Sequence, residues 1–322
     1  MCIRDRAQVA VANDAYASYW NPAGLINIER DEISLMHSNY FANIANYNYM
    51  SYAKKVDDES AIGFSLIRFG VDDIMDTTQL IDNQGNIDFN RIELFSAVDY
   101  AFLFSYAKKN KLLNIDYGLN IKIIRRIIGD FANSWGFGFD LGIQHQNNKG
   151  WKFGLMARDI TTTYNSWSFD EDRLNDIQDA IEGQNQQIPE KSEITLPKLQ
   201  FGISKEFSLN NEYSLLGAFD LFIVFEETND IVSTEITSLN PALGFELGYI
   251  DLVYLRLGVG NFQNEIQYDS SEKLSFQPNF GIGFNMNSIE INYAFTDIGN
   301  QSTALYLSLI HISEPTRPLY IS

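Results

Sequence analysis

Residues 71–90 hold five carboxylates, Asp72, Asp73, Asp76, Asp82 and Asp88, around Asn83-Gln84-Gly85-Asn86. Oxygens at this density could bind calcium, yet Gly85 is out of register for an EF-hand loop and Leu80 falls where its first ligand belongs. A solvated acidic loop with a hairpin tip is the simpler reading. His37 and His145 stand without the spacing of a metal-binding pair. Gly136-Phe137-Gly138 lacks the following helix start that a phosphate cradle requires. A serine hydrolase needs a nucleophilic Ser beside a His, and spacing cannot reveal that pairing. The residue types predict no enzyme: no catalytic residue, no metal site and no cofactor.

Composition narrows the class further. The net charge of -19 opposes a nucleic-acid partner, which would require a basic face. A lone cysteine, Cys2, excludes a disulfide framework. Aromatic residues make up 14% of the chain although mean hydropathy is only -0.17. No run of about eighteen apolar residues exists, and the best segment, 215–225, is short and interrupted by Asp220. A membrane location would therefore use strands.

Alternation of period two supplies those strands. Trp135, Phe137, Phe139, Leu141 and Ile143 share one face, and Gly136, Gly138, Asp140, Gly142 and Gln144 the other. The same grammar runs through residues 61–70, 115–123, 151–158, 201–204, 243–249, 255–260, 280–285 and 289–295. Glycines opposite the aromatic face suit the crowded inside of a closed barrel better than a wet outer surface. About fourteen candidate strands result, an even number, and their connections alternate between short and long. A sandwich has no reason for that parity, so the fold class is all-β, a 14-stranded antiparallel transmembrane β-barrel. The longest interruption, 161–195, includes a candidate helix with Ser168 and Glu171 as a capping box, Leu174, Ile177 and Ile181 at helical spacing, and Gly183 at its end.

Ahead of the strands lies a short helical plug. Asn13-Asp14 can cap residues 15–20, and Asn21 can cap a second turn begun by Pro22. The expected domains are the plug, 7–30, truncated at its front, and the barrel, 31–309. Residues 1–6 and 308–322 resemble translated sequencing-adapter DNA and are set aside from fold reasoning.

The motif Trp20-Asn21-Pro22-Ala23-Gly24-Leu25, after the small-residue run from Val9 to Tyr19, resembles the PorV/PorQ proteins of the type IX secretion system, within the FadL-like outer-membrane family. Asp99-Tyr100-Ala101-Phe102 and Ser105-Tyr106-Ala107 resemble that family's fourth strand. The resemblance implies a cell outer-membrane barrel that binds secreted cargo, through its C-terminal signal domain, or translocon components at its outer loops. The grip would lie at residues 72–90, 168–183 and 262–275, with Asp72, Asp73, Trp167, Phe169, Leu174, Ile177 and Phe262 as candidate contacts. Outer-membrane lipid is the other expected partner. The alternative is a FadL-like transporter of hydrophobic small molecules, gated by the plug, with a hydrophobic ligand in the barrel. Polar residues assigned to the inward face, Asp116, Lys122, Asp140, Lys152, Arg158, Glu246 and Arg256, favour a filled, polar interior and the secretion reading.

Overall fold

The computed structural model describes residues 7–81, 84–170, 191–266, 271–286, 288–299 and 302–312. Helix α1 (Ala17–Trp20) and a 3-10 turn (Pro22–Asn27) precede the strands. The first seven strands are β1 (Glu32–Tyr40), β2 (Ala45–Asp57), β3 (Ser60–Asp76), β4 (Glu93–Asn110), β5 (Ile115–Ile128), β6 (Ala132–Gln146) and β7 (Trp151–Arg158). Next come β8 (Thr163–Phe169), β9 (Ser192–Thr195), β10 (Lys198–Ser208), β11 (Tyr213–Val224) and the two-residue β12 (Val232–Ser233). The last five are β13 (Ser238–Tyr249), β14 (Val253–Ile266), β15 (Glu272–Met286), β16 (Ile289–Gly299) and β17 (Ser302–Ile312).

Antiparallel pairing runs from β1 through β7, then to β10, β11 and β13 through β17, and β17 pairs back with β1. The described residues thus close a fourteen-stranded barrel with no free edge. β8 continues the line of β7, pairing with the outer half of β6, and β9 likewise continues into β10.

Along each strand the aromatic and aliphatic side chains point out. Phe137 is 58% exposed, Phe245 52% and Leu257 50%, while the intervening Asp140, Asn120 and Asp220 are fully buried. An apolar exterior around a polar interior inverts a soluble protein and matches a bilayer, where only closed sheets leave no unpaired backbone. The chain is a transmembrane barrel of the outer membrane. No described helix is long and apolar enough to cross a membrane. The tight turns, such as 147–150 and 209–212, mark the periplasmic end, and the longer connections mark the outer end.

Several sequence expectations need correction. Asp72 and Asp73 belong to β3, which extends to Asp76, so the acidic loop starts later than residue 71. Phe262 lies within β14, and Gln263 pairs with Ser275, which shortens the expected 262–275 loop to a few residues. Ser168 sits in β8 and caps no helix; the rest of that candidate helix, with Leu174 and Ile177, lies outside the described residues. The turn between β4 and β5 occupies 111–114, where the Asn110 side chain accepts hydrogen bonds from the Leu112 and Leu113 amides at 3.1 and 3.2 Å. Finally, β17 runs to Ile312, past the barrel boundary expected at 309, and buries Ser308 and Ile310.

An outward-facing charge should be costly at mid-wall. Leu257→Arg is expected to lower stability by about 2–4 kcal/mol in urea unfolding from lipid vesicles.

Candidate functional site

Residues 7–28 lie inside the barrel, where a fourteen-stranded lumen is too wide for wall side chains to fill. Val9, Ala17, Ala23 and Leu25 are fully buried there. Asn21 ties this plug to the wall: its Nδ2 donates to the carbonyls of Val9 (2.9 Å), Ile143 (3.0 Å) and Leu155 (3.4 Å). Ile143 and Leu155 are register partners on β6 and β7, so one amide spans two wall strands. The Asn21 Oδ1 accepts from the Ala23 amide at 3.2 Å, and Pro22 occupies the first position of the 3-10 turn, where no donor is lost. In the same motif, Trp20 is buried beside Leu25 in the plug core, and Gly24 packs so close to Ala12 that a Cβ would lie 2.0 Å from its carbonyl oxygen.

Wall groups complete the seat. Asp220 accepts from the amides of Gln8 and Val9 at 2.8 and 2.9 Å. Gln144 donates to the carbonyls of Val9 and Ala12, and Asn120 to that of Ser18 at 2.8 Å. Glu32 accepts from the Ala15 amide at 2.9 Å. Inward glycines admit the plug backbone: a Cβ at Gly142 would stand 2.1 Å from Asn21 Oδ1, and one at Gly118 would stand 2.4 Å from the Ala23 nitrogen. Burial pushes the Tyr16 phenol well above its ordinary range, and its hydroxyl pairs with Ser308.

Beside the plug the wall is interrupted between β7 and β8, in addition to register shifts in other ladders, such as those at 71–74 and 260–263. Between β7 and β8, Asp159 and Thr162 adopt φ of 54° and 61°, and the chain bulges while β6 runs on. Lys122 bridges Asp140 at 2.8 Å and Asp159 beneath this bulge; Thr163 donates to Asp159, and the Asp159 amide to Asp140. Arg158, the last residue of β7, donates to the Tyr19 carbonyl at 2.7 Å and covers the Tyr19 ring at 4.6 Å. Wall bulge and plug are therefore joined.

The lumen differs on the two sides of the plug. Below it, a cavity of about 530 Å³ is lined by Asp14, Glu32, Lys152, Glu246, Arg256 and Glu290, among others. Arg256 there pairs with Glu246 and with Glu290 at 3.4 Å. Asp116 lines a smaller neighbouring pocket. Above it, Tyr19, Tyr40, Tyr47 and Phe69 form an aromatic cluster on one side of the lumen, with Tyr40 and Phe69 edge to face at 6.1 Å, while Asp99 and Arg126, inward at the level of Phe69, pair at 3.1 Å. The buried Tyr47 hydroxyl has no hydrogen-bond partner among the described residues. At the outer rim Trp167 stacks on Phe169, donates to Glu193 and lies under Arg126. Asp72 is held by Arg68 at 2.8 Å, Asp73 adopts φ of 58°, and Phe262 packs near Phe276. The structure thus brings Lys122, Asp140 and Arg158 into one cluster and Glu246 and Arg256 into another. Asp72, Trp167 and Phe262 lie on separate stretches of the outer half. Asp220, Asn120, Gln144, Asp159 and Tyr47 were missed, because each reads in sequence as one more polar or aromatic residue in an alternating strand.

No protein-family model matches the chain, and no curated protein matches it in sequence. Solved structures do. The CymD monoaromatic hydrocarbon channel superposes with a TM-score of 0.57 at 12% identity, covering 96% of this chain and 95% of that one. The Pseudomonas putida toluene transporter TodX gives 0.59 at 10% identity, covering 94% of each. A Pseudomonas aeruginosa FadL homologue gives 0.52 at 11%, covering 95% and 96%. The fold is that of FadL-like barrels. At this identity the likeness extends to architecture alone, and none of the three neighbours is a type IX secretion protein.

Two substitutions test the seat. Asn21→Ala leaves buried carbonyls without a donor and should cost about 1–3 kcal/mol for each one not rescued by water, with residues 7–28 becoming open to protease. Lys122→Met leaves Asp140 and Asp159 facing each other without their cation, and should lower stability by about 3–5 kcal/mol in the same unfolding assay.

Proposed function

We propose that this barrel admits small hydrophobic molecules through the outer membrane, binding them in the aromatic mouth above the plug and releasing them sideways at the wall bulge. The observation that carries this reading is the asymmetry of the lumen. An aromatic cluster of Tyr19, Tyr40, Tyr47 and Phe69 lies on the outer side of the plug, beside the paired Asp99 and Arg126, whereas Asp14, Glu32, Lys152, Glu246, Arg256 and Glu290 bring six charged groups to the cavity below it. An apolar solute gains from contact with Tyr47 and Phe69 and loses on entering the charged cavity, so an axial path is unfavourable. The break between β7 and β8 stands beside the mouth, where Arg158 grips Tyr19. A solute that displaces Tyr19 would loosen that grip, and the surrounding bilayer is the apolar phase into which it would pass.

The structural likeness to a monoaromatic hydrocarbon channel and a toluene transporter supports a small aromatic solute. The secretion reading has less behind it. Of its candidate contacts, Trp167 is engaged by Glu193 and Arg126, and Asp72 by Arg68, within the chain. The polar interior that favoured that reading is occupied in holding the plug and in pairing its own charges.

The experiment is uptake of a radiolabelled monoaromatic hydrocarbon by intact Gram-negative cells carrying the chain. Uptake above a vector-only control is expected, and Tyr47→Asp, which places a charge in the mouth, should reduce it roughly threefold to tenfold while the barrel still folds. Uptake equal to the control would remove the proposal.

A further inference from the structure

The outward face carries a second feature that plug and mouth do not use. Across six adjacent strands, β1 to β6, the register aligns Leu35, Met50, Leu66, Phe102, Ile123 and Phe137, all apolar and all pointing to lipid. The next outward row toward the outer end aligns His37, Asn48, Arg68, Tyr100, Arg125 and Trp135. Near the outer end of the belt this row holds two guanidinium groups two strands apart, with Tyr100 between them and Trp135 beside Arg125, while Val98 and Ile127 carry the apolar face one row further on β4 and β5. Aromatic residues are ordinary near such an edge, whereas two outward arginines stand out in a chain with net charge -19.

The two arginines differ in their partners. Arg68 is neutralised by Asp72, with Nη2 at 2.8 and 2.9 Å from the carboxylate oxygens. Among the described residues Arg125 has only neutral partners: Nη1 donates to Asn133 Oδ1 at 2.7 Å and to the Ser134 carbonyl at 3.5 Å, and the guanidinium lies 4.9 Å from the centre of the Trp135 ring. These contacts hold the group against the wall, and no described carboxylate neutralises it. On the opposite wall, the outward positions of β11, β13 and β14 are uncharged from Leu215 to Ile223, Leu239 to Tyr249 and Val253 to Val259.

We infer that Arg125, with Arg68, Tyr100 and Trp135, forms a one-sided site for a phosphorylated headgroup of an outer-leaflet lipid. The height fits, since phosphate sits where acyl chains end. So does the chemistry: a guanidinium offers paired donors to phosphate oxygens, and the flanking aromatic rings lie at the depth of the sugar and first methylenes. The lipid's negative charge would supply the counter-ion that the wall withholds from Arg125.

Purified full-length protein in detergent is incubated with equal amounts of bis-phosphorylated lipid A and the same lipid A stripped of phosphate, and retained adducts are counted by native mass spectrometry. Wild type is expected to keep the phosphorylated form roughly tenfold better. Arg125→Gln should abolish most of that preference. Lys205→Gln, which removes an outward cation stacked on Trp151 near the periplasmic edge, should leave it intact. Equal retention of both lipids by wild type, or an unchanged preference in Arg125→Gln, overturns the inference. Should Arg125→Gln fail to fold, Arg125→Lys keeps a charge without the paired donors; reduced preference there supports the site, and undiminished preference overturns it.

Discussion

A closed sheet of fourteen strands leaves a hole down its middle, and everything else in this molecule answers that constraint. Wall side chains cannot fill the space, so the chain folds its own N-terminal segment into it. That segment is too short to satisfy its backbone by helix alone: α1 is a single turn and the next is a 3-10 turn. Its remaining amides and carbonyls must find partners on the wall. Asn21 is the central contact, since one side chain closes the plug's own turn and reaches two strands at once. Asp220, Gln144, Asn120 and Glu32 extend the same principle around the lumen.

The polar interior therefore has a structural purpose before any functional one. Lys122, Asp140, Asp159, Arg256, Glu246 and Glu290 are paired, and Asp220 and Glu32 are bonded to plug backbone, which agrees with the high cost of leaving a buried ion alone. The aromatic cluster above the plug packs against the plug core, and the buried Tyr47 hydroxyl within it has no hydrogen-bond partner among the described residues. The bulge at Asp159 interrupts the pairing of β6 between β7 and β8, and a costly buried triad of Lys122, Asp140 and Asp159 sustains it. A mouth, a plug and a wall irregularity joined by Arg158 make a coherent gate for an apolar solute.

Much of the barrel was legible because alternation is a local signal. Trp135 to Ile143 state their two faces outright, and the glycines between them announce something close on the inside. The parity of short and long connections then distinguished a barrel from a sandwich. Strand ends were harder, since nothing in Asp72 or Phe262 says that a strand keeps going beyond the belt. The plug motif could be read as a cap followed by proline, but its wall partners could not. Asp220 lies roughly two hundred residues from Val9, and only closure of the sheet brings them together. The bulge was invisible for a related reason: Asp159, Ile160, Thr161 and Thr162 look like the beginning of a loop, whereas the chain rejoins the wall at Thr163.

Single-channel conductance in planar bilayers tests most directly whether the plug seals the lumen. The full chain should be silent to small ions, and a chain lacking residues 7–28 should open stable, ohmic pores. Steady conductance of the full chain equal to that of the shortened one would contradict the account.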